Sequence, residues 1–226
     1  MKIRVKFSKT GRMVYLGHLD IMRYFQKAIR RAGVDIAYSQ GYNPHQKMSF
    51  SAPLSLGIES LAEYMDITLN SLPSAAWLKD ILQKQMVPGM DILSITLLPD
   101  DAESAMTVLA AADYEVIVRN DVIENMDLSR MDAFYSQEEI HIVRKTKKSE
   151  TEIDIKPLIY SLHEDDGVIF MRLASGSVQN LKPDLVMKAY FSYIGLDIPE
   201  HCIRIKRVEQ FGENFVSLED MGLQMD

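Results

Sequence analysis

Two histidines stand in glycine-flanked segments near the start of the chain: His18 in Gly17-His18-Leu19-Asp20, and His45 in Gly41-Tyr42-Asn43-Pro44-His45-Gln46-Lys47. An imidazole titrates near neutral pH and can take up or release a proton. His18 with Asp20, or His18 with His45 across space, is a candidate general acid–base pair for metal-independent RNA cleavage. The plainer alternative makes His18 a residue at a helix start and His45 an ordinary loop residue. An H-x-D spacing is weak for a metal, and no metal site or cofactor is expected. Tyr42 and Asn43 share the second segment, where a ring can stack on a base and an amide can hydrogen-bond to it. Gly11 and Gly57 fit neither the G-x-x-x-x-G-K-[ST] nor the G-x-G-x-x-G pattern, so nucleotide hydrolysis is a poor reading.

The cations form the second group with a chemical consequence. The chain of 226 residues has a net charge of −7. Its first 48 residues hold ten Lys and Arg against Asp20 and Asp35, a net +8, and the remainder is at −15. Such asymmetry reads as an electrostatic footprint for a polyanion; the alternative is a solvated face. The cations assigned to the footprint are Arg4, Lys6, Arg12, Arg23, Lys27, Arg30, Arg31 and Lys47, with Tyr42 and Asn43 adding specificity. Four of them, Arg23, Lys27, Arg30 and Arg31, recur on one helical stripe. Several phosphate contacts together give a salt-dependent affinity. No aromatic-rich RNP motif accompanies them.

These residues need elements to position them. Ile3, Val5 and Phe7 alternate with Lys2, Arg4 and Lys6, which predicts a strand with one apolar and one basic face. On a sheet with one open face, the basic side would lie beside Tyr64, Asp66 and Thr68, with Tyr64 free to stack on a base; alternatively Asp66 pairs with Arg4 or Lys6. Ile21, Met22, Phe25, Ala28, Ile29 and Ala32 fall at helical spacing, with Gly17 as N-cap and Gly33 just past the end. A short strand over 34–38, a loop at 41–47, strands over 48–52 and 63–69, a helix opened by Pro73 and a strand over 90–98 complete a β-α-β-β-α-β order, the ferredoxin-like pattern. The order recurs with strands over 114–119, 139–145, 151–155, 168–173 and 203–208 and helices over 129–136 and 183–194. An additional strand or turn is placed around 155–163. The expectation is an α+β protein of two ferredoxin-like (βαββαβ) halves, 1–99 and an imperfect 112–212, followed by a loose acidic tail at 213–226.

The stretches Gly11-Arg12-Met13-Val14-Tyr15-Leu16-Gly17-His18-Leu19-Asp20, Gly41-Tyr42-Asn43-Pro44-His45-Gln46-Lys47-Met48-Ser49-Phe50 and Pro53-Leu54-Ser55-Leu56-Gly57-Ile58-Glu59-Ser60 together resemble the radical-SAM-associated family, a bacterial domain of unknown function. The resemblance implies a genetic or physical link to a radical S-adenosylmethionine enzyme as partner, and it supplies no catalytic residues. At fold level alone, paired ferredoxin-like halves also resemble the repeat-associated RNA-binding proteins of CRISPR systems. Radical enzymes hold a [4Fe–4S] cluster with three closely spaced cysteines, and this chain has Cys202 alone, which also excludes an internal disulfide.

The expected role is thus an accessory protein, binding RNA or presenting a substrate to a radical S-adenosylmethionine enzyme. The alternatives are an endoribonuclease using His18 and His45, and a protein-interaction module without nucleic acid. No apolar run approaches the ~18 residues of a membrane span, and the opening MKIRVKFSK lacks a signal-peptide block. Both point to a cytoplasmic setting.

Overall fold

Alternation decides the first strand. In β1 (Lys2–Lys9), Ile3, Val5 and Phe7 enter one buried layer while Arg4 and Lys6 take the other face. The computed structural model describes residues 1–119, 121–123, 126–145, 150–197, 199 and 201–224. It divides into two units, 1–110 with 209–226, and 111–208. In the first, β1 is followed by α1 (His18–Arg31), β2 (Met48–Phe50), β3 (Glu59–Thr68), α2 (Ala75–Gln83), β4 (Ile92–Leu98) and the short α3 (Ala105–Val108). This is the expected βαββαβ order. β1 lies between β3 and β4 and is antiparallel to both, with Val5 opposite Met65 and Ile95, while β2 pairs with β3. The strand expected over 34–38 is reduced to two isolated bridges, Ile36 to Leu69 and Tyr38 to Gln46.

The helix-side layer of this unit is apolar for most of its length. Phe7, Phe25 and Phe50 meet at centroid distances of 4.6 to 6.1 Å, close to Ile3, Val5, Ile29, Met65, Leu78 and Leu82. α1 turns Ile21, Phe25, Ala28 and Ile29 inward at the spacing read from the sequence.

The second unit repeats the plan with one insertion. β5 (Ala111–Val118) and α4 (Met131–Tyr135) are followed by a separate hairpin, β6 (His141–Lys145) and β7 (Glu150–Asp154). Then come β8 (Ile159–Asp165), β9 (Val168–Ala174), α5 (Pro183–Tyr193) and β10 (Ile203–Phe211), whose residues to Val208 belong to this unit. The strand order is β10-β5-β9-β8, so the two halves share one ferredoxin-like scheme. The additional element is the β6–β7 hairpin rather than the 155–163 segment, which supplies β8. The charged turn of that hairpin lies outside the described residues. Val116, Ile169, Leu173, Val186, Tyr190, Phe191 and Cys202 build this core, in agreement with a structural Cys202.

On the other face of the first unit, of the two readings the structure follows the one that pairs Asp66 with Arg4 rather than the open sheet. Ala62, Tyr64, Ala105, Leu109 and Leu218 form a second buried cluster over it. The segment expected as a loose tail takes part: it makes 3₁₀ turns at Glu213–Phe215 and Leu218–Asp220, then β11 (Leu223–Gln224), with Leu223 opposite Leu97 on β4. Leu218 is fully buried. Burial of this apolar side chain and pairing with β4 hold what a tally of acidic residues left free.

Cations on this face must therefore be neutralised. Arg4 is 2% exposed; its Nε and Nη2 donate to the two Asp66 oxygens at 2.8 and 3.0 Å, and its Nη1 to the Leu218 carbonyl at 3.2 Å. The Ala105 N–H also donates to Asp66, at 2.7 Å. Lys6 bridges Glu209 at 2.7 Å and Glu219 at 2.6 Å. Burial opposes the charge on Lys6, but the two carboxylates raise its pKa overall. Glu219 is likewise opposed by burial, yet Lys6 and Ser94 hold it below the ordinary carboxylate value.

Asp66→Asn leaves the buried Arg4 guanidinium without its counter-charge and should cost about 3–5 kcal/mol in urea unfolding. The lowered Glu219 pKa contributes stability above pH ~4.5 that is lost as pH falls below it; the raised Lys6 pKa contributes stability that is lost only above pH ~10.5. The stability gap between wild type and Lys6→Met should therefore be full at pH 7 and shrink toward pH 3.

Candidate nucleic-acid interface

The segment between β1 and β3 builds one surface of the first unit. β1 is irregular between Phe7 and Lys9. The Thr10 N–H then donates to the Gly89 carbonyl at 2.8 Å, and a 3₁₀ turn, Gly11–Tyr15, leads to Gly17, the N-cap of α1. Asp20 in the first turn of α1 and Arg30 and Arg31 in the last suit the helix dipole. Beyond α1 the chain runs out and back as an extended pair. The Tyr38–Gln46 bridge closes it, and the Gln46 side chain donates to the Gln26 carbonyl of α1 at 3.4 Å. That bond ties the 41–47 loop to the helix.

The cations assigned from sequence separate into two sets. Arg4 and Lys6 belong to no docking surface, because burial forces them into the ion pairs just described. Tyr64, expected to stack on a base, is 1% exposed and donates to Glu209 at 2.5 Å. Burial first, then Glu209, pushes its phenol pKa far up.

Arg12, Arg23, Lys27, Arg30, Arg31 and Lys47 are all exposed. Arg23 lies 3.8 Å from Asp20, with both side chains more than 60% exposed, an arrangement of little energetic weight. Among the described residues no carboxylate comes within ion-pair distance of Arg12, Lys27, Arg30, Arg31 or Lys47. Arg31 approaches the Gln85 carbonyl at 3.4 Å. Tyr42 and Asn43 stand exposed at the loop tip, and Tyr38 is 44% exposed. Exposed cations thus stand on α1, and exposed polar and aromatic groups stand on the loop that Gln46 ties to it.

The histidines are not brought together. The His18 ring packs edge-on to Phe50 at 5.5 Å. His45 is exposed and shares Nδ1 with the Ser39 hydroxyl at 2.8 Å. Phe50 lies five positions beyond His45, roughly 16 Å along an extended chain at ~3.3 Å per residue. A paired acid–base centre has no support in this geometry. Among the described residues no three His, Cys, Asp or Glu converge as metal ligands, and no helix is long and apolar enough to cross a membrane.

His18 belongs to a different constellation, which sequence reading missed. A narrow recess is lined by Phe7, Lys9, His18, Phe50, Ser51 and Glu63, with Ile21 and the 52–54 segment at its edge. Lys9 is 1% exposed and Glu63 7%. The signal was present: Lys9 continues the inward parity of Ile3, Val5 and Phe7, and Glu63 that of Ile67 and Met65. It was hidden because the alternation of the first strand was followed only as far as Phe7.

Two ferredoxin-like units define the class, an α+β protein. Within it, the chain belongs to the family described as "Uncharacterized protein conserved in bacteria (DUF2344)", whose model matches residues 2–183. No curated protein matches the chain. Among solved structures it is similar to a chain from the "Crystal Structure of a Cbf5-Nop10-Gar1 Complex", with TM-score 0.49 and 8% identity, over 94% of this chain and 50% of that one. The chain thus spans about half the length of that structure.

Gly89 anchors the turn that follows Lys9. At φ +91° a Cβ there would lie 2.5 Å from the Thr10 carbonyl oxygen, whereas at Gly33, φ +68°, nothing lies within 4 Å. Gly89→Ala should lower thermal stability by about 2 kcal/mol or more and Gly33→Ala by about 1 kcal/mol, read in parallel melts.

Proposed function

We propose that this protein binds RNA through the exposed face of α1 and the attached 41–47 loop, and that it works as an accessory module beside a radical S-adenosylmethionine enzyme. The observation that carries the RNA reading is the row Arg23, Lys27, Arg30 and Arg31, whose only carboxylate neighbour among the described residues is Asp20 on Arg23. In a unit that pairs its buried cations so completely, a row left without counter-charges is free to displace counterions from phosphates. Arg12 on the turn before α1 and Lys47 on the loop after it are further exposed cations, and Tyr42 is an exposed ring for a base to stack on. The radical-enzyme partner rests on the likeness of the 11–20, 41–50 and 53–60 stretches to the radical-SAM-associated family. With one cysteine, this chain cannot by itself supply the three cluster ligands of such an enzyme.

Filter binding of a single-stranded RNA across a salt series tests the RNA reading. Four to six phosphate contacts should give a slope of about −3 to −4 in log K against log salt. Arg30→Glu with Arg31→Glu should weaken binding at every sequence and flatten the slope by one or more units. Salt-insensitive or absent binding would overturn the proposal. Co-purification with a radical enzyme from nuclease-treated lysate is expected if the partnership is a protein contact; loss on nuclease treatment reduces it to RNA bridging.

A further inference from the structure

The hairpin inserted into the second unit is the element that the ferredoxin-like scheme does not require. β6 and β7 form a sheet of their own, with Ile142 opposite Ile153. Both are half-buried and lean on the second core with Leu158 and Leu185. Of the two strands, β6 packs more on α5. Its outer edge is open: among the described residues no strand pairs with it and no backbone hydrogen bond joins it to another segment. An open edge is a template for another extended chain, and folds that do not use one cover or shorten it.

A cavity of about 370 Å³ lies between this hairpin and the start of α5. That is within the roughly 300–1,000 Å³ of ligand sites. Its walls are branched aliphatic, with Ile142, Val143 and Ile153 from the hairpin and Leu158, Leu181 and Leu185 facing them. Ile142 and Val143 are consecutive, so their side chains leave opposite faces of β6. A cavity that touches both runs along the side of the strand rather than under one face. It is reachable from solvent, since Val143 is 53% exposed.

The polar groups of the cavity all stand on one rim, Asn180, Lys182 and Asp184. The three are exposed, and among the described residues their side chains have no hydrogen-bond or ion-pair partner. Asp184 sits in the first turn of α5, where the helix dipole favours a carboxylate. Lys182, at the N-cap position, has no such internal role, so its ammonium is the charge left for an occupant.

We propose that this cavity is a peptide-docking groove. An extended segment of a partner protein adds to the outer edge of β6, lodges alternate branched aliphatic side chains between the hairpin and α5, and sets an acidic residue against Lys182. Three separate observations specify the occupant. The open edge calls for an extended backbone, the aliphatic walls for valine, isoleucine or leucine, and the unpartnered ammonium for a carboxylate. In strand addition, main-chain hydrogen bonds supply affinity and pockets for alternate side chains supply specificity. The groove lies wholly within residues 111–208, whereas the cationic row of α1 belongs to the other unit, so docking here is independent of the RNA-binding reading.

The test uses the intact protein and a fluorescein-labelled hexapeptide in which valine alternates with threonine and one end carries glutamate, read by fluorescence anisotropy. This peptide should bind saturably, and replacing its valines by serine should weaken it roughly tenfold or more. Methylating alternate backbone nitrogens should abolish binding in one phase and spare it in the other, because only every second N–H of an added strand faces its neighbour. Lys182→Glu should weaken binding roughly fivefold, and Val143→Asp roughly tenfold. Equal affinity for the valine and serine peptides, or equal tolerance of both methylation patterns, overturns the groove. So does a failure of the valine peptide to bind. Self-association of the protein that Val143→Asp removes also overturns it, by making a second copy the occupant. The peptide comparisons need no variant, so a Val143→Asp protein that fails to fold leaves them intact.

Discussion

A charge buried in a sheet must find its opposite, and a charge on a helix surface need not. That constraint sorts the cations of the first 48 residues. On β1, the strand at the centre of the first unit, Arg4 and Lys6 point into a layer closed by Ala105, Leu109 and Leu218. They are consumed by Asp66, Glu209 and Glu219. On α1 the amphipathic period keeps Arg23, Lys27, Arg30 and Arg31 outside, where water screens them and nothing in the fold demands partners. The net +8 of this segment is thus part internal structure and part accessible potential, and only the second part can attract a polyanion.

The same constraint explains how the end of the chain is fixed. Glu209 and Glu219 come from its last 18 residues, and both reach Lys6. Glu209 also accepts from Tyr64, and the Gln210 amide donates to the Ala62 carbonyl. Residues 209–224 are held to the first unit by charge and hydrogen bonds as well as by Leu218. The apolar layer on the opposite side of the sheet supplies most of the burial energy; the ionic layer fixes which segment covers the remaining face.

Much of this was legible in the sequence. Period-two alternation located β1, the period of 3.6 located α1 with its inner and outer faces, and the βαββαβ order appeared twice. The readings that failed depended on distant pairing. Whether Arg4 faces water is decided by Asp66 and by residues beyond 210, which no local pattern reveals. The same holds for the acidic tail: acidity is a composition, and burial of Leu218 is a tertiary fact. His18 and His45 looked alike because each adjoins a glycine-bearing turn, yet one enters a helix start over Phe50 and the other an exposed hairpin with Ser39. The Lys9–Glu63–Ser51 recess was missed because two charged residues on an inward parity look like turn and edge residues until the strands are paired.

Photocrosslinking of a 4-thiouridine-containing single-stranded RNA to the intact protein, with the attachment sites mapped by mass spectrometry, tests the central claim most directly. Crosslinked peptides are expected from residues 18–31 and 38–47. Crosslinks confined to 111–208, or none at all under low salt, would contradict it.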